Sequence, residues 1–219
     1  MKRTVKNVSF VILLLKSLFL LSQESAPRKV VVIDPGHGGK DTGAIGMNGI
    51  QEKDLVLKAA IGILKLNRDL EEPLDIYLTR YSDTLISLSD RTKLAIALKA
   101  DLFVSLHCNY SDSPSAKGVE VYVADRPSKY QDYATWLAFQ LQDNLSVKLG
   151  LESRGVKFAD FQVLREVGGG CPAMLLELGF LSNRDEGNYY QTSESVRALA
   201  LLLRESLFES LNLGERAGQ

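Results

Sequence analysis

Apolar residues along this chain fall into short runs separated by segments in which they recur at helical spacing. The runs "KVVVI", "DIYLT", "DLFVSL", "GVEVYVA", "FQVL" and "AMLLEL" are too short for helices and rich in β-branched residues, so each is expected to be a strand. Between them, residues 52 to about 70 bring Leu55, Val56, Ala59, Ile63 and Leu66 to one helical face. A second helix is expected over residues 90–100, with Ser89 as its N-cap and Leu94, Ala97 and Leu98 facing inward. A third is predicted over residues 129–149. The last, from Ser193, lines up Val196, Leu199, Ala200, Leu203, Leu207 and Leu211 and is expected to stop at "NLG". Strands alternating with helices predict an α/β fold: a single domain with a mostly parallel central sheet of about six strands and helices on both faces. A length of 219 residues suits one core.

The N-terminus breaks this pattern. "MKRTVKN" is basic, "VSFVILLLKSLFLL" is apolar and "SQESAP" is small and polar, so residues 1–26 are expected to be an export signal and residues 27–219 the mature domain. Lys16 interrupts the apolar stretch, leaving it shorter than the roughly 20 residues a spanning helix needs, so no stable membrane span is expected after signal removal. A retained anchor is the alternative. Export places the protein in the periplasm or cell envelope, where a disulfide could form. Cys108 follows one strand and Cys171 precedes another, so in a parallel sheet they stand at opposite edges and are expected to be free thiols.

Charge excludes one class of partner. The chain carries 26 basic and 27 acidic residues, and removing residues 1–26 takes away Lys2, Arg3, Lys6, Lys16 and Glu24, which leaves the domain mildly acidic. That balance has no footprint for nucleic acid. "REVGGGCP" lacks the lysine and the strand-to-helix context of a phosphate loop and reads instead as a flexible rim.

The chemistry gathers at strand ends. The only two histidines are His37, in the turn "DPGHGG" after the first strand, and His107, which closes "DLFVSLHCN". Each alone reads as a turn or core imidazole. Together at the carboxyl edge of one parallel sheet they can meet, where functional sites of open α/β sheets collect. A catalytic zinc takes three protein ligands and leaves a fourth position open. Glu52, opening the first helix beyond the glycine-rich loop, is the natural third, with Asp41 and Asp54 competing. As a first-turn acid it could equally do no more than favour the helix dipole. Glu177 stands between Leu176 and Leu178 in an apolar strand, where an unpaired carboxylate costs several kcal/mol. It needs either a functional site or an ion pair with Arg80, Arg91 or Arg154. Asp34 is placed to orient His37 or to stabilise its turn. Cys108 reads as a small packing residue.

Several motifs in order resemble the zinc-dependent N-acetylmuramoyl-L-alanine amidases of the amidase-3 family. They are "VVIDPGHGGKDTGA", "QEKDLVL", "LTRYSD", "LSDRTKLA", "DLFVSLHCN", "KGVEVYV", "RGVK", "FQVLRE" and "PAMLLELGFLSN", and they span roughly residues 29–211. The resemblance implies that His37, Glu52 and His107 hold one Zn2+ ion and that Glu177 is the catalytic acid or base. It implies hydrolysis of the amide between N-acetylmuramic acid and L-alanine in peptidoglycan, for wall remodelling or daughter-cell separation, and it leaves room for protein activators or localisation factors. Cys108 stands where the family usually has another small residue. Some members carry an insertion after the strand matching "GVEVYV", with a helix that covers the site; here only "DRPS" follows, so an open cleft is expected. The alternatives are a zinc peptidase acting within the stem peptide and a non-catalytic peptidoglycan-binding module.

Overall fold

The computed structural model describes residues 27–70 and 73–217. The expected export signal therefore lies outside the described residues. Six strands form one sheet: β1 (Val30–Pro35), β2 (Asp75–Leu78), β3 (Leu102–Asn109), β4 (Val119–Ala124), β5 (Ser153–Ala159) and β6 (Ala173–Phe180), in the order β2-β1-β3-β6-β4-β5. All neighbouring pairs are parallel except β4 with β6, which is antiparallel. The mostly parallel six-stranded sheet is the one expected.

Alternation along the strands feeds two cores. Val31, Ile33, Leu102, Val104, Leu106, Met174 and Leu176 face the larger one, which also takes residues of α1 (Glu52–Arg68), α3 (Gln131–Leu149) and α6 (Ser193–Ala217). Val32, Phe103, Ala173 and Leu175 face a smaller one beneath α2 (Leu88–Ala97) and α4 (Gln162–Val167). A short α5 (Arg184–Tyr189) follows β6. Strands buried on both faces are why the sequence shows near-continuous apolar runs. On the smaller-core side α2 and α4 leave the upper part of the sheet uncovered, and the cleft described below opens there.

Some boundaries differ from expectation. "FQVL" is not a strand: Phe161 is the N-cap of α4, which buries Val163, Leu164 and Val167 on one face. The strand at that point in the chain is β5, "SRGVKFA", an edge strand that is largely exposed and so lacks an apolar run. The N-cap of α2 is Ser87, whose side chain accepts from the Asp90 N–H, rather than Ser89. α6 continues through "NLG" to Ala217. The glycine triplet at residues 168–170 precedes β6 at the end remote from Glu177, so it does not border the cleft. Cys108 and Cys171 are free and buried, as expected.

Candidate active site

The loop after β1 is forced into shape. His37 has a φ of 58° and Gly39 one of 59°, left-handed values that a non-glycine residue such as His37 adopts only where surrounding contacts fix it. Two buried arginines supply those contacts. Arg91 donates to the carbonyls of Pro35 and His37 at 2.8 and 2.7 Å. Arg80 donates to Pro35, Gly36 and Lys53 at 3.0, 2.8 and 2.8 Å, joining the loop to the first turn of α1. Asp34 neutralises Arg91 at 2.6 Å and accepts from Thr79 and Ser105. Its carboxylate is thus committed to the loop's foundation and does not touch the His37 ring. Asp41 does, at 2.9 Å from Nδ1. Gly36 is needed at its position because a Cβ there would overlap the His107 imidazole.

This loop, β3 and the start of α1 bring three donor atoms together. His37 Nε2, Glu52 Oε1 and His107 Nδ1 form a triangle with sides of 3.1, 3.0 and 3.2 Å. Around a tetrahedral zinc with bonds of roughly 2.0–2.1 Å, ligand atoms stand about 3.3–3.4 Å apart, so the triangle closes on such an ion with little adjustment. Glu52 is itself fixed, accepting from the backbone N–H of Cys108 at 2.9 Å and of Ala44 at 2.8 Å. Asp41 orients the imidazole of His37 through its other nitrogen, as carboxylates do behind ligating histidines. Of the three carboxylates weighed from sequence, Glu52 joins the histidines, Asp41 stands behind one of them, and Asp54 is not in the cluster.

Electrostatics show how tightly the cluster is coupled without a cation. Burial alone would lower the pKa of His37, but the Glu52 and Asp41 carboxylates outweigh it and push it up to about 9. Burial likewise opposes ionisation of Glu52, and the hydrogen bonds of His107 and His37 overcome it, bringing the carboxyl down to about 2. Cys108, beside His107 but on the opposite sheet face, sits in the larger core, where burial pushes its thiol well up. It is a packing residue.

Glu177 lies next to this triangle, since it is the register partner of His107 across β3 and β6. Just beyond, the register slips between His107 and Asn109, a bulge in β6 at Gly179 that Glu186 caps by accepting from the Phe180 N–H at 2.6 Å. The ion-pair reading of Glu177 fails on its candidate partners: Arg80 and Arg91 serve the loop, and Arg154 pairs with Glu120. Glu177 Oε2 is buried with no hydrogen-bond partner. Burial raises its pKa to about 7, with the carboxylates of Glu52 and Glu120 adding to the effect against the imidazoles. A carboxyl poised near neutrality can both accept and return a proton.

The cleft over the site encloses about 840 Å3 and runs from His37, His107 and Glu177 between Leu85–Leu88 and Phe161–Val163. Phe161, which stacks edge-on against Tyr122, was not singled out from sequence because "FQVL" was read as strand. Glu120 was missed too. It is 2% exposed, it is the register partner of Glu177 on the other side of β6, and it accepts from Asn109, Tyr122, Arg154 and Lys157. The visible signal was a glutamate alternating with buried valines in "VEVYV".

Known proteins agree with this architecture. Residues 31–208 match the family model described as Amidase_3, N-acetylmuramoyl-L-alanine amidase. The chain is 36% identical over 186 residues to the sporulation-specific N-acetylmuramoyl-L-alanine amidase of Bacillus subtilis, covering 84% of this chain and 68% of that protein. It is 31% identical over 227 residues to N-acetylmuramoyl-L-alanine amidase AmiA of Escherichia coli, covering 85% and 77%. Its fold superposes with a TM-score of 0.75 on the catalytic domain of CwlV, an N-acetylmuramoyl-L-alanine amidase from Bacillus (Paenibacillus) polymyxa, at 35% identity over 84% of this chain and 98% of that one. AmiC2 of Nostoc punctiforme superposes at 0.76 with 29% identity, covering 86% and 99%. A match across nearly every described element, on a sheet whose carboxyl edge carries a His–Glu–His triangle, places this chain in the N-acetylmuramoyl-L-alanine amidase family, whose members are zinc-dependent hydrolases.

Proposed function

We propose that this enzyme cuts the amide between N-acetylmuramic acid and L-alanine in peptidoglycan with His37, Glu52 and His107 holding a zinc ion and Glu177 moving the proton. The observation that carries the residue assignment is the pairing of a closed triangle of donor atoms with a carboxylate, one strand away, whose Oε2 is buried without a hydrogen-bond partner. Zinc, when bound, supplies Lewis acidity that acidifies water and polarises the amide carbonyl. Glu177 accepts the proton of the attacking water and delivers it to the departing amine of L-alanine, a role open to it because its Oε2 is committed to no other partner and it stands one strand from the triangle. Asp41 keeps His37 in the tautomer that presents Nε2. The glycan and a stem peptide with a free N-terminal alanine are the products.

Such a substrate lies outside the cytoplasmic membrane, so residues 1–26 are proposed to direct export to the periplasm or cell envelope; among the described residues no helix is long and apolar enough to cross a membrane. Digestion of purified sacculi with and without a chelator, followed by mass spectrometry, tests the reaction. Intact stem peptides beginning at L-alanine, lost on chelation, are expected. Cuts only between amino acids would overturn the substrate assignment.

A further inference from the structure

Beyond Glu177 the same sheet face carries a second charged group. On β4, Glu120 is buried and accepts Arg154 Nε at 2.9 Å and Lys157 Nζ on the same oxygen, Oε2, while Asn109 and Tyr122 each bond Oε1 at 2.7 Å. Both cations come from the edge strand β5, where their side chains are 35% and 37% exposed. Two cations thus share one buried carboxylate and retain outward donors. Arg154 Nη1 is used by the Lys117 carbonyl, whereas Nη2 and the other two hydrogens of Lys157 Nζ have no hydrogen-bond acceptor among the described residues. The guanidinium is also held over the Phe180 ring at 5.0 Å. Fixed cations with spare donors and a net positive balance suit a carboxylate.

Strand order sets the direction in which a substrate would meet them. From the triangle outward the row reads His107 on β3, Glu177 on β6 and Glu120 on β4, to which the side chains of Arg154 and Lys157 on β5 reach, Lys157 from the position opposite Tyr122. With Glu177 as the donor to the leaving amine, the orientation that turns the amine toward it runs the peptide past Glu177 toward β5 and the glycan the other way. Two strand spacings of about 4.8 Å separate β6 from β5, roughly the span of two to three extended residues at about 3.3 Å each. In the stem peptide the residue after L-alanine is an acidic one whose carboxylate is free or amidated, whereas the lactyl carboxyl of the sugar is consumed in the amide itself.

We propose that Arg154 and Lys157, held by Glu120, form a subsite for the free carboxylate of the second stem-peptide residue, making the enzyme selective for acidic over amidated stems. This rests on the amidase reading and on Glu177 as proton donor. The test uses two N-acetylmuramoyl tripeptides that differ only at that position, free acid against carboxamide, with kcat/KM measured for the full zinc-loaded protein. The wild type is expected to favour the acid by about tenfold or more, the discrimination of a charge-assisted hydrogen-bonded contact. Arg154→Gln and Lys157→Gln should bring the ratio toward one, and Lys157→Arg should keep it. Losing a partner of Glu120 could disturb Glu177, but that would slow both substrates equally and leave the ratio unchanged. An unchanged ratio in both glutamine variants, or no preference in the wild type, would overturn the subsite. Binding of the two released tripeptides to metal-free protein, followed by NMR, separates the readings. Selective binding of the acid tripeptide, weakened in both glutamine variants, would support the subsite even if the zinc-loaded protein hydrolysed neither N-acetylmuramoyl compound, a result that would refute the amidase mechanism alone; equal binding would refute the subsite.

Discussion

His107 and Glu177 are register partners on adjacent parallel strands, so a proposed metal ligand and an unpartnered carboxylate rise from one sheet face a single strand spacing apart. Glu177 is outside the donor triangle, which closes without it. Glu177→Gln should therefore keep zinc at near-normal stoichiometry while reducing kcat by roughly 10²–10⁴-fold, because the amide preserves shape but cannot accept a proton. Metal analysis beside a sacculus assay checks this, and loss of zinc would make Glu177 a ligand or a ligand's support. His37→Ala and His107→Ala should instead lose zinc and activity together.

The same burial has a cost visible in metal-free protein. The folded-state pKa of Glu177 is about 7, above the ordinary 4.5, so the native state holds an extra proton between those values and stability falls as pH rises through that window. Removing the charge should reverse this. Glu177→Gln is expected to stabilise chelated protein at pH 8 by about 1–3 kcal/mol and to have little effect at pH 4. Thermal melts at the two pH values decide, and equal shifts at both would mean that Glu177 is not buried as a carboxylate.

Arg91 and Asp34 form an ion pair whose side chains are 2% and 1% exposed beneath the His37 loop. Breaking one partner leaves a buried charge, so Arg91→Met should cost about 3–5 kcal/mol. Asp34→Asn combined with Arg91→Met should recover part of that. Denaturant melts of the single and double variants measure the coupling, and additive losses would show that the pair is not what anchors the loop.

Much of this was legible in sequence because the relevant side chains break local patterns. A carboxylate inside "AMLLELGF" and a histidine closing "DLFVSL" conflict with their apolar surroundings, and that conflict marks a site. α4 was not legible: four residues with alternating Phe161 and Val163 fit a strand, and only Val167, beyond that window, completes the helical face. β5 was hidden because an edge strand needs no apolar run. Spacing alone could not say which of Asp34, near the end of β1, and Asp41, in the loop that follows, reaches the His37 ring, since both stand within four residues of it. Which one reaches the ring depends on the left-handed backbone at His37 and on Arg91 claiming Asp34. Glu120 carried a weak signal because its partners are distant in sequence: Arg154 is 34 residues away and Lys157 is 37.

Gly36 offers a test of how closely the site is built. A Cβ at this position would overlap the His107 ring, and neither neighbour can yield easily, because Arg80 holds the Gly36 carbonyl at 2.8 Å. Gly36→Ala should displace His107 Nδ1 and lower zinc affinity by about 10–100-fold, the range seen when supports of a ligand are altered. Competition titration against a chromophoric chelator measures it. Unchanged affinity would show that the loop can relax around the ring.

Access to the cleft gives the final prediction. Between β4, which ends at Ala124, and α3, which begins at Gln131, lie only residues 125–130. A helix of three turns needs about 11 residues before its connections, so this junction cannot supply the covering helix that an insertion there would provide. The cleft walls at Leu85 and Phe161 are instead partly exposed, at 45% and 39%. Purified zinc-loaded protein is therefore expected to release stem peptides from sacculi without an added activator. Release-rate measurements with the protein alone and with envelope extract decide the matter. Activity that is absent alone and appears only when a partner displaces a covering segment would show that another part of the chain does the blocking.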